Sequence, residues 1–428
     1  MKTMIFFISV CLLGTCFKAQ AQNFITASKP DKNMVERIQK LAETYYPWVV
    51  EIRRHLHMHP ELSGQEKKTM EYIASKLDSL GISYKTKVGG LYAVVAEIPG
   101  KNPKKRRIVL RADTDALPIF EINDVPYKSK NKGVSHKCGH DSHSGNLLGT
   151  ARILNDLRDE FEGTIVLIWQ PHEEKLPGGA PALIEAGVLD GADACIGLHV
   201  DPNLDAGTIG VRAGEFMASI DELEVAILGK GAHGGSGVHL SVDPILAAAH
   251  LLVGLEQIKS HNCPATTPMA LSFGKIRAGE APNVIPDTCF LNGTFRTLSD
   301  EWRPMAQRRM LEIAEGVSKS TGAAIQFHIK KGHPVLVNDP KITTLVENAA
   351  IRVLGKNKVL QLNVWLASED FAHYSKVVPS CFFRLGVRNE ARGITAGLHT
   401  NNFDIDESAL KTGMEVMSWI ALQALGTN

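Results

Sequence analysis

The sequence predicts an α/β fold with a mainly parallel sheet, interrupted by a smaller inserted α+β domain. Strand-like apolar runs alternate with helical segments, which is the pattern of a parallel sheet covered by helices on both faces. The chain has 428 residues, about two to three times the usual length of one domain. We therefore expect a discontinuous main domain, residues 24–213 and 331–428, and an inserted domain, residues 214–330.

The N-terminus has the pattern of an export signal. Lys2 supplies a positive charge, Met4 to Leu13 an apolar stretch, and Ala19 to Ala21 a small-residue cleavage site. We expect residues 1–21 to be removed and the mature protein to be exported, that is periplasmic or secreted if the source is bacterial. A lipoprotein anchored at Cys16 is the less favoured alternative, because threonine precedes that cysteine. The sequence contains no other segment that approaches the length of a membrane span.

The main domain opens with helical spacing and then alternates strands with helices. Ser63 to Glu66 has the sequence of a capping box, which opens a helix to Leu80, with Gly81 as the glycine that ends it. The predicted elements are helical spacing at Tyr46–Leu56, strands at Leu91–Ile98 and Ile108–Arg111, a helix at Gly145–Leu157, a strand at Thr164–Trp169, a helix at Ala180–Ala186 and a strand at Ala194–His199. The α/β pattern resumes at Ile342–Val353 and ends in a helix at Ser408–Ala424.

The inserted domain has strands that alternate apolar and polar residues, as half-exposed strands do. The expected strands are Ile220–Leu228, Ala270–Ile276, Thr288–Arg296 and Ala324–Lys330, and the expected helices are Pro244–Ile258 and Glu301–Ser318. We predict a four-stranded, two-helix α+β unit.

Composition is that of an ordinary globular protein, with 22% charged residues and a formal net charge of +1. This balance argues against nucleic acid as the main partner. The basic run Lys101 to Arg107 contains no aromatic residue, so we interpret it as a solvated turn. Beyond the expected signal the cysteines are odd in number and scattered, which is not a disulfide framework. They are Cys138, Cys195, Cys263, Cys289 and Cys381.

Candidate metal ligands recur along the chain near the ends of predicted strands. Cys138 and His140 lie in CGHDSH, Glu173 and Glu174 follow a buried strand, and His199 closes another. Thiolate, imidazole and carboxylate are the ligand types that zinc accepts. Adjacent carboxylates after a buried strand repel each other unless a cation separates them, and one can bind metal while its neighbour takes a proton from water. Each residue alone has a structural interpretation, but together they predict a metal-dependent hydrolase.

Further polar residues are more ambiguous. Asp113 and Asp115 also follow a strand, where they could bind metal or, as we prefer, orient the ligating imidazoles. His233 lies in a glycine-rich loop that suits either a ligand contact or a flexible turn. A run of alternating histidines ends a predicted helix, where alternate residues point to different faces, so we assign it a structural role. These histidines are His55, His57 and His59.

The chain contains, in this order, the motifs RADTDALP, CGHDSH, QPHEE, GLH, GKGAHGG, APNVIPD, GTFRT, SEDF and GLHTNNF. Their order resembles that in M20 metallopeptidases, in the amidohydrolase branch that contains aminoacylases, hippurate hydrolases and auxin-conjugate hydrolases. This resemblance implies a site for two metal ions and a lid domain that also mediates dimerisation. It implies Glu173 as general base. The implied metal ligands are Cys138, His140, Glu174, His199 and His399. The implied contacts to the tetrahedral intermediate or the substrate carboxylate are His233, Asn283 and Arg296, some reaching across the dimer.

We therefore expect a homodimer that hydrolyses small N-acyl amino acids to a carboxylate and a free amino acid. Two divalent ions per subunit are implied, Zn²⁺ or Mn²⁺, with Co²⁺ or Ni²⁺ as alternatives. An M20-type dipeptidase or carboxypeptidase, or a hydrolase of xenobiotic amides, is the second enzymatic hypothesis. An inactive metal-binding interaction module is the rival from another class, which loss of the base or of a ligand would mark. His172 replaces the branch's usual alanine and Lys175-Leu176-Pro177 replaces a glycine-rich turn, so both could reshape the pocket.

Overall fold

The computed structural model of the protein describes residues 32–426, so the expected export signal lies outside the described residues. Its helices are α1 (Lys32–Met58), α2 (Lys67–Leu80), α3 (His140–Asp156), α4 (Ala180–Glu185), α5 (Pro244–Gln257), α6 (Arg303–Thr321), α7 (Pro340–Leu354), α8 (Ala372–Ser375) and α9 (Ser408–Leu425). Its strands are β1 (Tyr84–Thr86), β2 (Val94–Pro99), β3 (Arg107–Asp113), β4 (Thr164–Gln170), β5 (Ala194–Asp205), β6 (Ile209–Val211), β7 (Gly214–Met217), β8 (Ser219–Leu228), β9 (Ala232–His233), β10 (Met269–Ala278), β11 (Val284–Ile285), β12 (Thr288–Thr297), β13 (Ala324–Lys331), β14 (Leu336–Asn338), β15 (Val359–Gln361) and β16 (Ser380–Arg388).

An eight-stranded, mainly parallel sheet forms the larger part of the fold, in the order β1-β2-β4-β3-β5-β16-β6-β15. Strands β4, β3, β5 and β16 are parallel neighbours, and β2 pairs with β4 antiparallel. Every residue of β4 is buried, as expected for a strand covered on both faces. Apolar side chains of α1, α3, α7 and α9 pack on one face of this sheet, and those of α4 and α8 contribute to a smaller core on the other. The predicted fold class is confirmed.

The topology places several strand ends at one edge of the sheet. Strand β3 ends at Asp113, and β4 ends at Gln170 just before the paired glutamates. The predicted end of β5 at His199 is wrong: the strand continues to Asp205, because it stays paired with β16 that far, and His199 lies within it. Carboxyl ends of parallel strands lie together, which is where α/β proteins place their ligands. Strand β16 is inserted between β5 and β6, although most of the inserted domain separates it from them in the chain.

The inserted part of the chain forms a second sheet, four-stranded and antiparallel, in the order β10-β12-β8-β13. Helices α5 and α6 pack on this sheet around a separate apolar core that includes Leu251, Phe295 and Met310. This matches the four-stranded, two-helix unit that alternation predicted. The domain boundaries at residues 214 and 330 stay predictions.

The capping box predicted at the start of α2 is wrong. The Ser63 hydroxyl donates to Asp115 Oδ2 (2.6 Å), and Glu66 gives no side-chain cap to the helix that begins at Lys67. A Glu61 carboxylate oxygen instead accepts from the Thr69 backbone N–H (2.8 Å). Ser63 and Glu66 hydrogen-bond to loops around the functional site rather than to each other, which a local pattern does not reveal.

Two further predictions concern the described residues. All five cysteines there are free, and Cys195 is fully buried in β5. Between residues 32 and 426 there is no helix with both the length and the apolar character needed to cross a membrane.

Candidate metal centre

Five side chains from distant segments converge at the edge of the main sheet. Cys138 Sγ lies 3.3 Å from His199 Nε2 and 3.2 Å from His399 Nε2. Glu174 Oε1 lies 3.3 Å from His399 Nε2 and 3.8 Å from His140 Nε2. The structure thus brings all the predicted ligand residues together in one site.

The donor atoms of this cluster are suited to a divalent cation. His140 Nε2 is buried and has no hydrogen-bond partner among the described residues. Cys138, His140 and His199 offer atoms that all lie within 4.8 Å of one another, as do Cys138, Glu174 and His399. A mixed sulfur, nitrogen and oxygen set at these separations is one that a borderline cation accepts, and it would satisfy the unpaired nitrogen.

Contacts on the far side of His199 and His140 leave the Nε2 atom of each imidazole facing the cluster. His199 Nδ1 donates to the Val200 carbonyl oxygen (2.7 Å), which leaves the Nε2 lone pair free. His140 Nδ1 lies 3.3 Å from Asp115 Oδ1. His143, from the same motif, has both nitrogens engaged, one by Asp113 Oδ1 (2.5 Å) and one by the Val200 N–H (2.9 Å). We conclude that His143 supports the site and does not face a cation.

Asp113 and Asp115 lie behind the cluster, in the place that the orienting role requires. Asp115 Oδ2 accepts from the Glu174 backbone N–H (2.9 Å), so this one carboxylate contacts two of the candidate ligand residues. Asp113 Oδ1 is 3.7 Å from His140 Nδ1. The other carboxylate oxygen of Asp113, Oδ2, accepts a hydrogen bond from Arg111 Nη1 (2.7 Å).

The surroundings of the ligand residues oppose the protonation states that bind metal. Burial lowers the pKa of His140, but Asp113 and Asp115 outweigh it and raise the pKa to about 10. Burial, assisted by Glu174, raises the pKa of the Cys138 thiol well above its ordinary value. A bound cation must displace both protons, so metal affinity should weaken as the pH falls.

Glu173 is buried beside the cluster but has different neighbours from Glu174. Its carboxylate lies within 4.8 Å of ligand atoms on His140 and Glu174, and equally of Glu369 and Asp370. Burial, followed by the negative charges of Glu369 and Glu174, raises the pKa of Glu173 well above its ordinary value. A carboxylate of raised pKa next to a metal cluster is a suitable acceptor for a proton from water.

Sequence reasoning missed an ion network beneath Glu173. The buried Arg111 guanidinium contacts Asp113 (2.7 Å), Glu369 (3.0 Å) and Asp370 (2.7 Å). Gln170 at the end of β4 donates to Asp370 (2.6 Å), which ties the network to the main sheet. The sequence contains a pattern that could have indicated this network, because Glu369 and Asp370 are adjacent acidic residues, as Glu173 and Glu174 are.

A cavity of about 550 Å³ opens onto the cluster between the main sheet and the inserted domain. Arg296 lines it from the inserted domain and donates to the Leu366 carbonyl oxygen (3.0 Å), and burial lowers the pKa of Arg296. Lys175 and Leu176 line it as well. His172 is not among the lining residues described, and its backbone N–H donates to Glu66 instead (2.9 Å). Of the two departures from the family pattern, only the loop can shape this cavity directly.

Two predicted residues of the inserted domain lie outside this cavity within one chain. His233 is exposed, and its Nδ1 accepts from the backbone N–H groups of Gly235 (3.1 Å) and Ser236 (3.2 Å). The Asn283 carbonyl oxygen accepts from the Gly234 backbone N–H (2.8 Å), so Asn283 and His233 are neighbours beside the small two-stranded sheet of β9 and β11. Within one chain, neither residue lines the cavity that opens onto the candidate metal centre.

The run of alternating histidines has structural contacts. His57 is buried between Asp141 (2.8 Å) and Glu121 (2.9 Å), and His55 stacks on Tyr72 with ring centres 3.8 Å apart. His59 Nδ1 donates to the His55 carbonyl oxygen (2.8 Å). His57 thus contacts a different part of the fold from His55 and His59, which contact each other, and all three have structural partners.

An α/β sheet with a convergent thiolate, imidazole and carboxylate cluster under an inserted domain defines a metal-dependent hydrolase. The sequence of residues 109–423 matches the family model of peptidase family M20/M25/M40. The chain therefore belongs to that family. It is a hydrolase of amide bonds, as its relatives are, and its site is suited to a divalent metal.

Individual relatives extend over nearly the whole chain. The chain is 41% identical over 367 residues to the N-acetyl-L-cysteine deacetylase of Bacillus subtilis, covering 85% of this chain and 84% of that protein. It is 35% identical over 394 residues to thermostable carboxypeptidase 2 of Saccharolobus solfataricus, covering 91% and 99%. The crystal structure of the Bacillus subtilis YXEP protein, described as a dinuclear metal binding peptidase from the M20 family, superposes with a TM-score of 0.77 at 35% identity, covering 90% and 100%.

Proposed function

We propose that the protein hydrolyses the amide bond of N-acyl amino acids, giving a carboxylate and a free amino acid. The observation that carries this proposal is the single cavity in which Glu173, the metal-ligand cluster and Arg296 meet. A catalytic carboxylate, a metal centre and one cation for a free carboxylate are what such a substrate needs. The similarity to a relative named N-acetyl-L-cysteine deacetylase supports this substrate class.

We propose that the site holds two divalent ions, Zn²⁺ or Mn²⁺, with Co²⁺ or Ni²⁺ as alternatives. The residues that would hold them are Cys138, His140, Glu174, His199 and His399. Bound metal ions would lower the pKa of water and polarise the amide carbonyl group. The similarity to a solved structure titled a dinuclear metal binding peptidase supports the number of ions.

The remaining steps belong to side chains of the protein. Glu173 takes the proton of the attacking water and returns it to the leaving nitrogen, a role that its raised pKa favours. Arg296 holds the α-carboxylate through its guanidinium group. His233 and Asn283, from the partner subunit of a homodimer, complete the site, with His233 stabilising the developing oxyanion.

The proposal is tested by a panel of N-acyl amino acids with acetyl, benzoyl, long-chain and indoleacetyl groups. Amine release should be detected for members of the panel and abolished by a chelator, then restored by added Zn²⁺ or Mn²⁺. Turnover that survives complete removal of metal would contradict the proposal. Dipeptides belong in the same panel, because the similarity to a relative named thermostable carboxypeptidase 2 favours peptide hydrolysis as the second candidate.

We further propose that the mature protein is exported, on the basis of Lys2, the apolar stretch and the Ala19-Gln20-Ala21 site. Intact-mass analysis of protein from its native host should show a chain beginning near Gln22. A full-length chain, or a lipid on Cys16, would contradict this proposal.

A further inference from the structure

Arg384 is a buried arginine without an acidic partner. Among the described residues the other buried arginines each contact a carboxylate: Arg53 with Asp141 (2.8 Å), Arg111 with Asp113 (2.7 Å) and Arg303 with Asp221 (2.5 Å). Arg384 is only 2% exposed, and no carboxylate in residues 32–426 lies within ion-pair distance of it. Burying an unpaired charge is costly, so such a residue calls for an explanation.

Aromatic side chains surround the Arg384 guanidinium but leave donors unused. Its central carbon lies 4.8 Å from the ring centre of Trp365, 5.3 Å from Phe216 and 5.5 Å from Phe382. Nη2 contacts Met217 Sδ at 3.0 Å, and Nη1 is buried with no hydrogen-bond partner among the described residues. Ring faces stabilise the positive charge, but they do not satisfy the planar array of N–H groups.

Arg384 lines a cavity of about 430 Å³ that adjoins the metal centre. Trp365 and Leu398 line both this cavity and the one at the metal cluster, so the two spaces share a wall. In the parallel pairing of β16 with β5, Arg384 is the register partner of the candidate ligand His199. Register partners point to the same face of a sheet, so the cation and the metal ligand project side by side.

We propose that Arg384 forms an anion subsite that binds a second carboxylate of the substrate, in addition to the α-carboxylate at Arg296. This inference rests on the proposed function and narrows its substrates to N-acyl amino acids with two carboxylates. The second one belongs either to a dicarboxylic acyl group or to an acidic amino-acid side chain. A guanidinium group binds a carboxylate through two parallel hydrogen bonds, and the aromatic walls suit the intervening methylene groups.

Asp201 is the one carboxylate among the described lining residues of this cavity, and it is held by other groups. Its Oδ1 accepts from the backbone N–H of Asn203 (2.9 Å) and from the Asn203 side chain (3.0 Å). Its charge opposes an incoming anion without neutralising Arg384 directly. Asp201→Asn should therefore strengthen anion binding, the opposite of the effect of removing Arg384.

The kinetic test compares kcat/KM for N-acetylalanine, N-succinylalanine and N-acetylaspartate. Arg384→Met should lower kcat/KM for one of the two dicarboxylate substrates by about 10- to 100-fold, while N-acetylalanine changes by less than about 3-fold. The substrate whose kcat/KM falls shows whether the second carboxylate belongs to the acyl group or to the amino acid. Arg384→Lys should retain part of the preference. Arg388→Met, on the same strand and outside the cavity, is the matched control and should affect none of the three.

A binding test on the metal-free protein separates this inference from the proposed function. Glutarate should raise the thermal midpoint of the wild-type protein in chelator, raise it more in Asp201→Asn, and leave Arg384→Met unchanged. If no N-acyl amino acid is hydrolysed but this pattern holds, the proposed function fails and the anion subsite stands. The subsite would be contradicted if Arg384→Met lowered kcat/KM equally for all three substrates. It would also be contradicted if glutarate raised the thermal midpoint by the same amount in wild type, Arg384→Met and Asp201→Asn. If Arg384→Met does not fold, Arg384→Lys and Asp201→Asn carry both tests.

Discussion

Glu173 and Glu174 are adjacent in the chain, yet their carboxylates have different surroundings. Glu174 lies near two imidazoles, those of His140 and His399, whereas Glu173 lies near His140 and also near the carboxylates of Glu369 and Asp370. A carboxylate among imidazoles is placed to bind metal, and one among other carboxylates is placed to accept a proton. The two substitutions therefore have separable consequences.

Glu173→Gln should retain bound metal and lose most turnover, by about 10²- to 10⁴-fold, because it removes the proton acceptor and keeps the ligand set. Glu174→Ala should lose metal, because it removes a ligand atom from the centre of the cluster. Metal content by elemental analysis and kcat, measured on the same preparations, check both expectations. The reverse pattern would show that the two roles are exchanged.

At the residue scale, the sequence predicted which side chains meet in the candidate metal centre but not the network of charges around it. Cys138, His140, Glu174, His199 and His399 follow from ligand chemistry and ordered motifs, and the structure brings them together. Arg384 could not be found in this way, because its significance is the lack of a partner. An unpaired charge becomes visible only when every neighbour is known.

At the scale of elements, the long amphipathic segments were predictable and their exact ends were not. Helix α1 begins at Lys32 rather than near Tyr46, because the helix continues through Pro47. Helical spacing of apolar residues was predicted only at Tyr46–Leu56, and a proline usually disfavours a helix that continues across it. The capping box failed for a related reason, since Ser63 is recruited by Asp115 from another part of the chain.

Helix α9 contains a buried acidic residue whose titration affects stability. Burial raises the pKa of Glu415 from an ordinary value of 4.5 to about 7, despite the opposing effect of Lys411. The folded state therefore holds this proton more tightly than the unfolded state does. Its contribution to stability is fully present below about pH 4.5 and is lost as the pH rises through about 7.

Glu415→Gln should thus stabilise the protein at pH 8 relative to wild type, and the difference should vanish near pH 4.5. Urea unfolding of both proteins at several pH values, with chelator present throughout, measures this difference. Glu312→Gln on the exposed face of α6 is the control and should change the free energy of unfolding by less than about 0.5 kcal/mol at every pH. A pH-independent difference between Glu415→Gln and wild type would contradict the assignment.

At the scale of the whole molecule, His233 and Asn283 are exposed, next to the small sheet of β9 and β11, and do not line the cavity of their own chain. The homodimer that we propose would bring them to the partner's site, and two-fold dimers are the commonest oligomers. The four-stranded sheet of the inserted domain has β10 and β13 as its edge strands, and such edges are candidates for pairing with a second copy of the chain.

His233→Ala should lower kcat by about 10²- to 10³-fold and leave the metal content unchanged, because it removes an oxyanion contact and not a ligand. Mixing the His233→Ala protein with an equal amount of the Glu173→Gln protein should restore about a quarter of wild-type activity. Random exchange makes half of the dimers mixed, and each mixed dimer has one complete site out of two. No recovery, under conditions where native mass spectrometry shows subunit exchange, would place His233 in its own subunit or in a structural role.

The position of β16 has a consequence for when the enzyme becomes active. This late strand lies inside the main sheet between β5 and β6, and the loop that follows it brings His399 to Cys138. A nascent chain therefore has neither a complete sheet nor a complete set of candidate ligands until residues 380–399 have been synthesised and have docked. A chain released before His399 has been synthesised should therefore have no hydrolytic activity.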